Sequence, residues 1–210
     1  MISPIRAEVS AAALRHNLAR IREVAPSSRV MAVVKANAYG HGLVQVARCL
    51  EDADAFGVAR LAEALALRIS GISNPILLLE GVFEAEQLHE VAAQSRQIVV
   101  HCEEQLAHLE QVAPAQPLVV WLKIDTGMNR LGFRPEQVPS VLARLEALAP
   151  RIAELRVMTH FASADEADSD LTARQVERFN ALTAQRGWAR SLCNSAGVFA
   201  HAEAHAEWVR

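Results

Sequence analysis

The strongest constraint on the fold is an alternation. Short apolar runs, several ending in a polar residue or a glycine turn, recur along the chain with longer amphipathic stretches between them. The first run is Val30-Met-Ala-Val-Val, followed at once by Lys35. Further candidate strands cover residues 55–59, 76–79, 97–100, 118–124, 155–159 and 191–194, and an eighth is expected to begin at Trp208. Runs apolar on both faces suit parallel strands covered by helices. Between them lie helical patterns. Ser10 is a candidate N-cap for a helix carrying Leu14, Leu18, Ile21 and Val24, and other helices are predicted over residues 61–69, 136–148 and 171–184.

Alternating β and α elements imply a parallel α/β fold. Periodicity alone allows either an eight-stranded barrel or an open doubly wound sheet. No G-x-G-x-x-G follows the first strand, so the dinucleotide-binding sheet loses its main support. The chain has 210 residues, near the floor for a closed barrel, which usually takes about 250. The expected fold is a (β/α)8 TIM-type barrel, incomplete at strand eight.

Charge and apolar content narrow the partners. A net charge of −3 and a pI of about 6.2 offer nothing to a polyanion, so nucleic acid is not expected. No apolar run approaches the roughly 18 residues of a membrane span. The opening MISPIRAEVS lacks the charged-then-apolar layout of a signal peptide, which makes the cytoplasm the expected compartment. Cys49, Cys102 and Cys193 are odd in number and widely spaced, and read as reduced, buried thiols.

The chemistry-bearing residues fall at the expected C-terminal ends of strands, where barrel sites collect. Lys35 opens the segment Ala36-Asn37-Ala38-Tyr39-Gly40-His41-Gly42. It is either a solvated strand-end lysine or a desolvated amine suited to bind a carbonyl covalently. Next comes Trp121-Leu-Lys123-Ile-Asp125-Thr-Gly127-Met-Asn129-Arg130-Leu-Gly132-Phe133. Lys123 and Asp125 stand two apart, so on one strand they share a face and form an ordinary ion pair at its end. Arg130, flanked by glycines, is placed to grip a carboxylate or phenolate. His160 ends another run. Asn194-Ser195-Ala196-Gly197 follows a short strand and reads either as a phosphate cradle or as a helix capped by Ser195. His201 and His205 stand four apart with no third ligand, so a solvated helix face is the simpler reading than zinc. The acidic stretch over residues 163–170 reads as a solvated loop, and no metal site is expected.

Together, AVVKANAYGHG, LKIDTGMNRLGF, THFASAD, NSAG and EWVR, in that order, resemble bacterial alanine racemase along the whole chain. The resemblance implies an isomerase that uses pyridoxal 5′-phosphate (PLP), interconverts L- and D-alanine, and supplies D-alanine to the cell wall. It further implies an N-terminal barrel, a C-terminal β domain and a homodimer. Residues 1–210 correspond to the barrel, so the β domain is expected to be absent and the activity of this chain alone low. By resemblance, Lys35 is the cofactor-binding lysine and a catalytic base, and Tyr39 and Ser195 contact the phosphate, with Asn194 beside them. Arg130 serves the phenolic oxygen and the substrate carboxylate, Lys123 is a lysine often carbamylated, and His160 packs near the ring. Arg210 faces the pyridine nitrogen. The opposite base in the family is a tyrosine of the partner's β domain, and Tyr39 is the one tyrosine here. A chain ending at Arg210 is expected to leave the barrel poorly closed, with exposed strand edges. A non-catalytic PLP-binding protein, a decarboxylase or another amino-acid racemase on the same barrel, and an interaction module without chemistry are the alternative readings.

Overall fold

The computed structural model describes residues 8–94 and 96–210. Residues 1–7, most of the segment read above for a targeting signal, lie outside them. Eight strands, each parallel to its neighbours, close in chain order: β1 Arg29–Val33, β2 Ala55–Val58, β3 Ile76–Leu78, β4 Arg96–Val100, β5 Leu118–Lys123, β6 Ile152–Met158, β7 Ala189–Ser191 and β8 Trp208–Val209. The helices are α1 Ala11–Val24, a short turn α2 Lys35–Tyr39, α3 Leu43–Cys49, α4 Leu61–Ile69, α5 Gln87–Gln94, α6 Glu103–Gln111, α7 Val138–Ala147, α8 Leu171–Thr183 and α9 Ser195–Ala200. The predicted α/β barrel is the observed one.

Two apolar cores follow from the period-two strand. Each strand sends one set of side chains out to the helices and the other into the barrel. The inner set takes one residue from every strand: Met31, Ala55, Leu77, Val99, Trp121, Met158, Ala189 and Trp208. The outer set, with the apolar faces of the helices, forms the larger core around Phe56, Ile98, Val120 and Phe179. Ser10 caps α1 as predicted, its hydroxyl accepting from the Ala13 amide at 3.2 Å.

The expected poor closure is corrected. Two residues of β8 suffice, because Trp208 pairs with Arg29 on one side and Ser191 on the other, and Val209 pairs with Val30. The Arg29 amide donates to Glu207 O at 2.9 Å and the Arg210 amide to Cys193 O at 3.1 Å, extending the seam at both ends. Inside it, the Trp208 ring stands edge-on to Trp121 at 5.8 Å, and the Arg156 guanidinium lies 5.2 Å from each ring. A large filled interior holds a short strand that its own ladder could not.

Among the described residues, no helix is long and apolar enough to cross a membrane. All three cysteines are free, but only Cys193 is buried, and burial pushes its thiol up to about 12. His201 and His205 do not share a helix face. His201 ends α9 and His205 follows a separate 3-10 turn; each ring contacts a backbone carbonyl, Ala164 O at 3.2 Å and Val198 O at 2.8 Å. The helix boundary interposed between them breaks the four-residue spacing.

Candidate active site

The barrel's inner face continues past its apolar layer into polar groups. Lys123 stands two residues beyond Trp121, His160 two beyond Met158, and Arg210 two beyond Trp208. Strand pleating therefore delivers all three to the same C-terminal mouth. They line one cavity of about 760 Å³ together with Lys35, Tyr39, Arg130, Asn194 and Ser195. The residues that the resemblance assigns to the cofactor and the chemistry thus line one cavity, whereas Asp125 does not. Val33, Leu79, Glu80, Leu131 and Met158 join the lining, and were not predicted. The lining also runs outside β1 to Leu14, Leu18 and Ile21 of α1.

Lys35 is delivered by an unusual turn. Ala36, Asn37, Ala38 and Tyr39 all have φ between 53° and 55°, a left-handed conformation that ordinary L-residues avoid. Local bonds hold it. Asn37 Oδ1 accepts from the Leu43 amide at 2.8 Å, Asn37 O accepts from the Gly42 amide at 2.9 Å, and the Asn37 amide donates to Glu63 Oε1 at 3.2 Å. The turn leaves Lys35 half-buried in the cavity wall and Tyr39 62% exposed at its rim.

Arg130 sits on a loop that leaves β5 and returns to it. The Asp125 amide donates to Phe133 O at 2.8 Å and the Phe133 amide to Lys123 O at 2.9 Å, closing the loop at its neck. Gly132 makes that neck possible: its φ is 128°, and a Cβ there would lie 2.7 Å from the Asp125 nitrogen. The predicted Lys123–Asp125 ion pair is corrected. The strand ends at Lys123, and the Asp125 carboxylate instead accepts from the Gly127 and Asn129 amides, each at 3.0 Å. Two loop amides satisfy it locally.

The cap of α9 is Asn194 and not Ser195; its side chain accepts from the Gly197 amide at 2.9 Å. That leaves the Ser195 hydroxyl uncommitted to the cap, at the cavity wall.

The mouth is mostly cationic: Glu80, the one acidic side chain among the described lining residues, pairs with Arg60 at 3.3 Å. Burial first, then the charges of Arg210, Arg130 and Lys35, lower the Lys123 amine to about 8. Burial and the same cations, with Lys123, lower His160 to about 3, so its ring is neutral at physiological pH. Arg210 is 8% exposed and, among the described residues, has no carboxylate partner. Its guanidinium donates to the Ser191 hydroxyl, to Thr159 O at 2.6 Å and to Leu192 O at 3.3 Å, and approaches His160 Nδ1 at 3.5 Å. Burial lowers it to about 10, which still leaves it cationic. Among the described residues the Arg130 guanidinium makes no ion pair. Such a set receives an anion. Groups of three or more acidic, histidine or cysteine side chains able to hold a metal do not occur among the described residues.

An eight-stranded parallel barrel with lysine, arginine and histidine converging on its C-terminal mouth defines an α/β-barrel protein with a built anion-receiving site. The particular family follows from comparison. The chain belongs to the alanine racemase family, whose N-terminal domain matches residues 9–210. The alanine racemase of Shewanella woodyi is 50% identical over 206 residues, covering 98% of this chain and 57% of the relative. The biosynthetic alanine racemase of Escherichia coli is 50% identical over 198 residues, 94% of this chain and 55% of the relative. The crystal structure of the biosynthetic alanine racemase from Pseudomonas aeruginosa superposes with a TM-score of 0.90 at 43% identity, over 95% of this chain and 56% of that one. The chain therefore spans rather more than half the length of the relatives it matches.

Proposed function

We propose that this chain is the PLP-binding barrel of an alanine racemase, acting on L- and D-alanine in the cytoplasm as part of a homodimer. The observation that carries the reading is the convergence of Lys35, Lys123, Arg130, His160 and Arg210 on one cavity. The donor set fits the cofactor: a primary amine for the aldehyde, cations for the phenolate, and small polar groups for the phosphate. Lys35 would hold the cofactor covalently, Tyr39, Asn194 and Ser195 its phosphate end, Arg130 its phenolic oxygen, and Arg210 its ring nitrogen.

Bound there, PLP would draw electrons from the substrate's α-carbon and make its proton removable. The Lys35 amine then takes or returns that proton on one face. Arg130 orients the substrate through its carboxylate with a planar, two-pronged donor. Arg210, cationic and already donating to carbonyls, would offer the ring nitrogen a donor and no proton, which would disfavour side reactions. His160, neutral, packs without adding a further cation. Lys123 lines the same cavity as Arg130, and a carboxylated Lys123 nitrogen would set an anion among these cations.

The opposite face needs a second base. Tyr39 is the sequence's only tyrosine and lies at the Lys35 end of the cavity, so that base comes from outside residues 1–210. A positioned acid or base contributes about 10²–10⁴-fold. The purified 210-residue chain is therefore expected to racemise more slowly than whole relatives by about that factor.

The decisive experiment is reconstitution with PLP. The chain should develop the visible absorbance band of lysine-bound pyridoxal, and borohydride should fix the cofactor to the peptide holding Lys35. A Lys35→Ala chain that keeps the band would defeat the assignment.

A further inference from the structure

We propose that Gln175 is a positioning residue: its buried amide locks the loop that carries Arg130 to the loop that carries His160, and so sets where both stand around the ligand. The proposal rests on the reading above that the cavity holds PLP and a small amino acid.

Gln175 lies on the buried stripe of α8 with Thr172, Phe179 and Thr183, and is 0% exposed. A primary amide so placed is tolerated only when its donors and acceptor are all used. Here they are. Oε1 accepts from the Ala162 amide at 3.0 Å, while Nε2 donates to His160 O at 3.0 Å and to Thr126 Oγ1 at 3.2 Å. Thr126 Oγ1 in turn bonds Thr159 Oγ1 at 2.8 Å. One turn further along α8, Arg178 Nη1 donates to Thr126 O at 3.0 Å. A single helix face thereby grips Thr126, ahead of Arg130 in one loop, and both His160 and Ala162 in the other.

The loops need this. The β5–β6 register ends at Lys123 and Met158, with one further backbone bond from the Ile124 amide to Met158 O at 2.8 Å. Beyond it, the Thr126–Thr159 bond and the Gln175 amide are what join the two loops. The fit is close: a Cβ on Gly127 would sit 3.6 Å from Gln175 Cγ and 3.4 Å from Arg178 Nη1. The chemistry of the clamp is also apt. From α8 the arginine loop is met by an amide and a guanidinium, and among the described residues no carboxylate pairs with Arg130. Only an amide of this length supplies the acceptor and both donors; Glu loses the donors, Asn is one methylene short, and Met loses all three.

The test uses the 210-residue chain loaded with PLP, and propionate as a carboxylate probe lacking the amino group. Propionate binding is read from its perturbation of the visible cofactor band. Gln175→Met keeps length and bulk. It should leave PLP affinity within about twofold while weakening propionate about tenfold, equivalent to about 1.4 kcal/mol. Amide hydrogen exchange should rise in residues 126–131 and 160–162 and not in 195–200. Thr126→Val should act in the same direction, and Thr126→Ser, which keeps the hydroxyl, should behave as the parent. The proposal is overturned if propionate affinity is unchanged in Gln175→Met, or if it falls only in step with PLP affinity and melting temperature, as a merely structural residue would give. Should the parent chain take up no PLP, the proposed function fails by itself. The exchange arm then still decides the clamp, and unaltered exchange in both variants overturns it.

Discussion

Lys123 carries its amine where charge is disfavoured, and this makes its protonation readable in the stability of the fold. Its folded value is about 8 against an ordinary 10.5, mainly through burial. Between these values the unfolded chain holds the proton and the folded chain does not, so stability rises with pH across that window. Below about 8 both states are protonated and the burial penalty is constant. The gain across the window is at most about 3 kcal/mol. Lys123→Met should therefore flatten the denaturation free energy between pH 8 and 10.5 and raise it at neutral pH. Equal slopes in parent and variant would refute the burial argument. His160 gives the complementary window. Its folded value of about 3 lies below the ordinary 6.5, so neutral His160 contributes stability that is lost as pH falls through that range. Its ring, followed by NMR, should stay neutral far below pH 6.5, and a midpoint near the ordinary value would contradict the cation cluster.

At the scale of the element, the left-handed turn is the most unusual local structure in the chain. Its residues are Ala, Asn, Ala and Tyr, not Gly, and αL placement costs an ordinary residue about 1–2 kcal/mol. Ala36 is exposed, with φ of 53°. Ala36→Gly should stabilise the chain by about 1 kcal/mol, whereas Ala173→Gly, exposed within α8, should destabilise it by a similar amount. Paired urea denaturation compares them directly; a destabilised Ala36→Gly chain would mean the turn is not strained. The same element shows where sequence reading stops. Runs such as residues 76–79 and 118–124 were legible as strands because both faces are apolar. Nothing in Lys35–Tyr39 announces positive φ, since the turn is held by Asn37 and by Glu63 from another helix. β6 begins at Ile152, earlier than the predicted 155; Ala153 and Glu154 are both exposed, so the start of the strand carries no apolar run to read. Gln175 did leave a signal that went unread: a glutamine midway between Leu171 and Phe179 at four-residue spacing, on the apolar stripe of a helix.

For the whole molecule, closure of the barrel and construction of the site are one problem. The chain as a whole is acidic, with net charge −3, yet its mouth gathers Lys35, Lys123, Arg130 and Arg210. Cations gathered this closely repel one another, so the barrel must hold them in place. Arg210 is held through β8, and β8 is two residues long. Trp208 anchors it: 3% exposed, edge-on to Trp121, with Arg156 over both rings and Arg29 5.5 Å from its own. Trp208→Ala removes the aromatic anchor of the shortest strand and leaves the Arg156 guanidinium stacked on Trp121 alone. Among the described residues Arg156 Nη1 has no hydrogen-bond partner, while Nε and Nη2 donate to the Glu154 carboxylate at 2.7 and 2.5 Å. The expected loss is about 3–5 kcal/mol, measured by chemical denaturation. Closure and cofactor binding should fail together, because Arg210 stands two residues beyond the anchor on the same inner face. Trp208→Phe, which keeps an aromatic face for Arg156, should retain most of both. If Trp208→Ala instead lowered stability by less than about 1 kcal/mol while PLP uptake persisted, the backbone pairings of β8 and the hydrogen bonds of Arg210 to Ser191 and Thr159 would have to close the barrel. The anchoring role would then pass from the aromatic interior to the site itself.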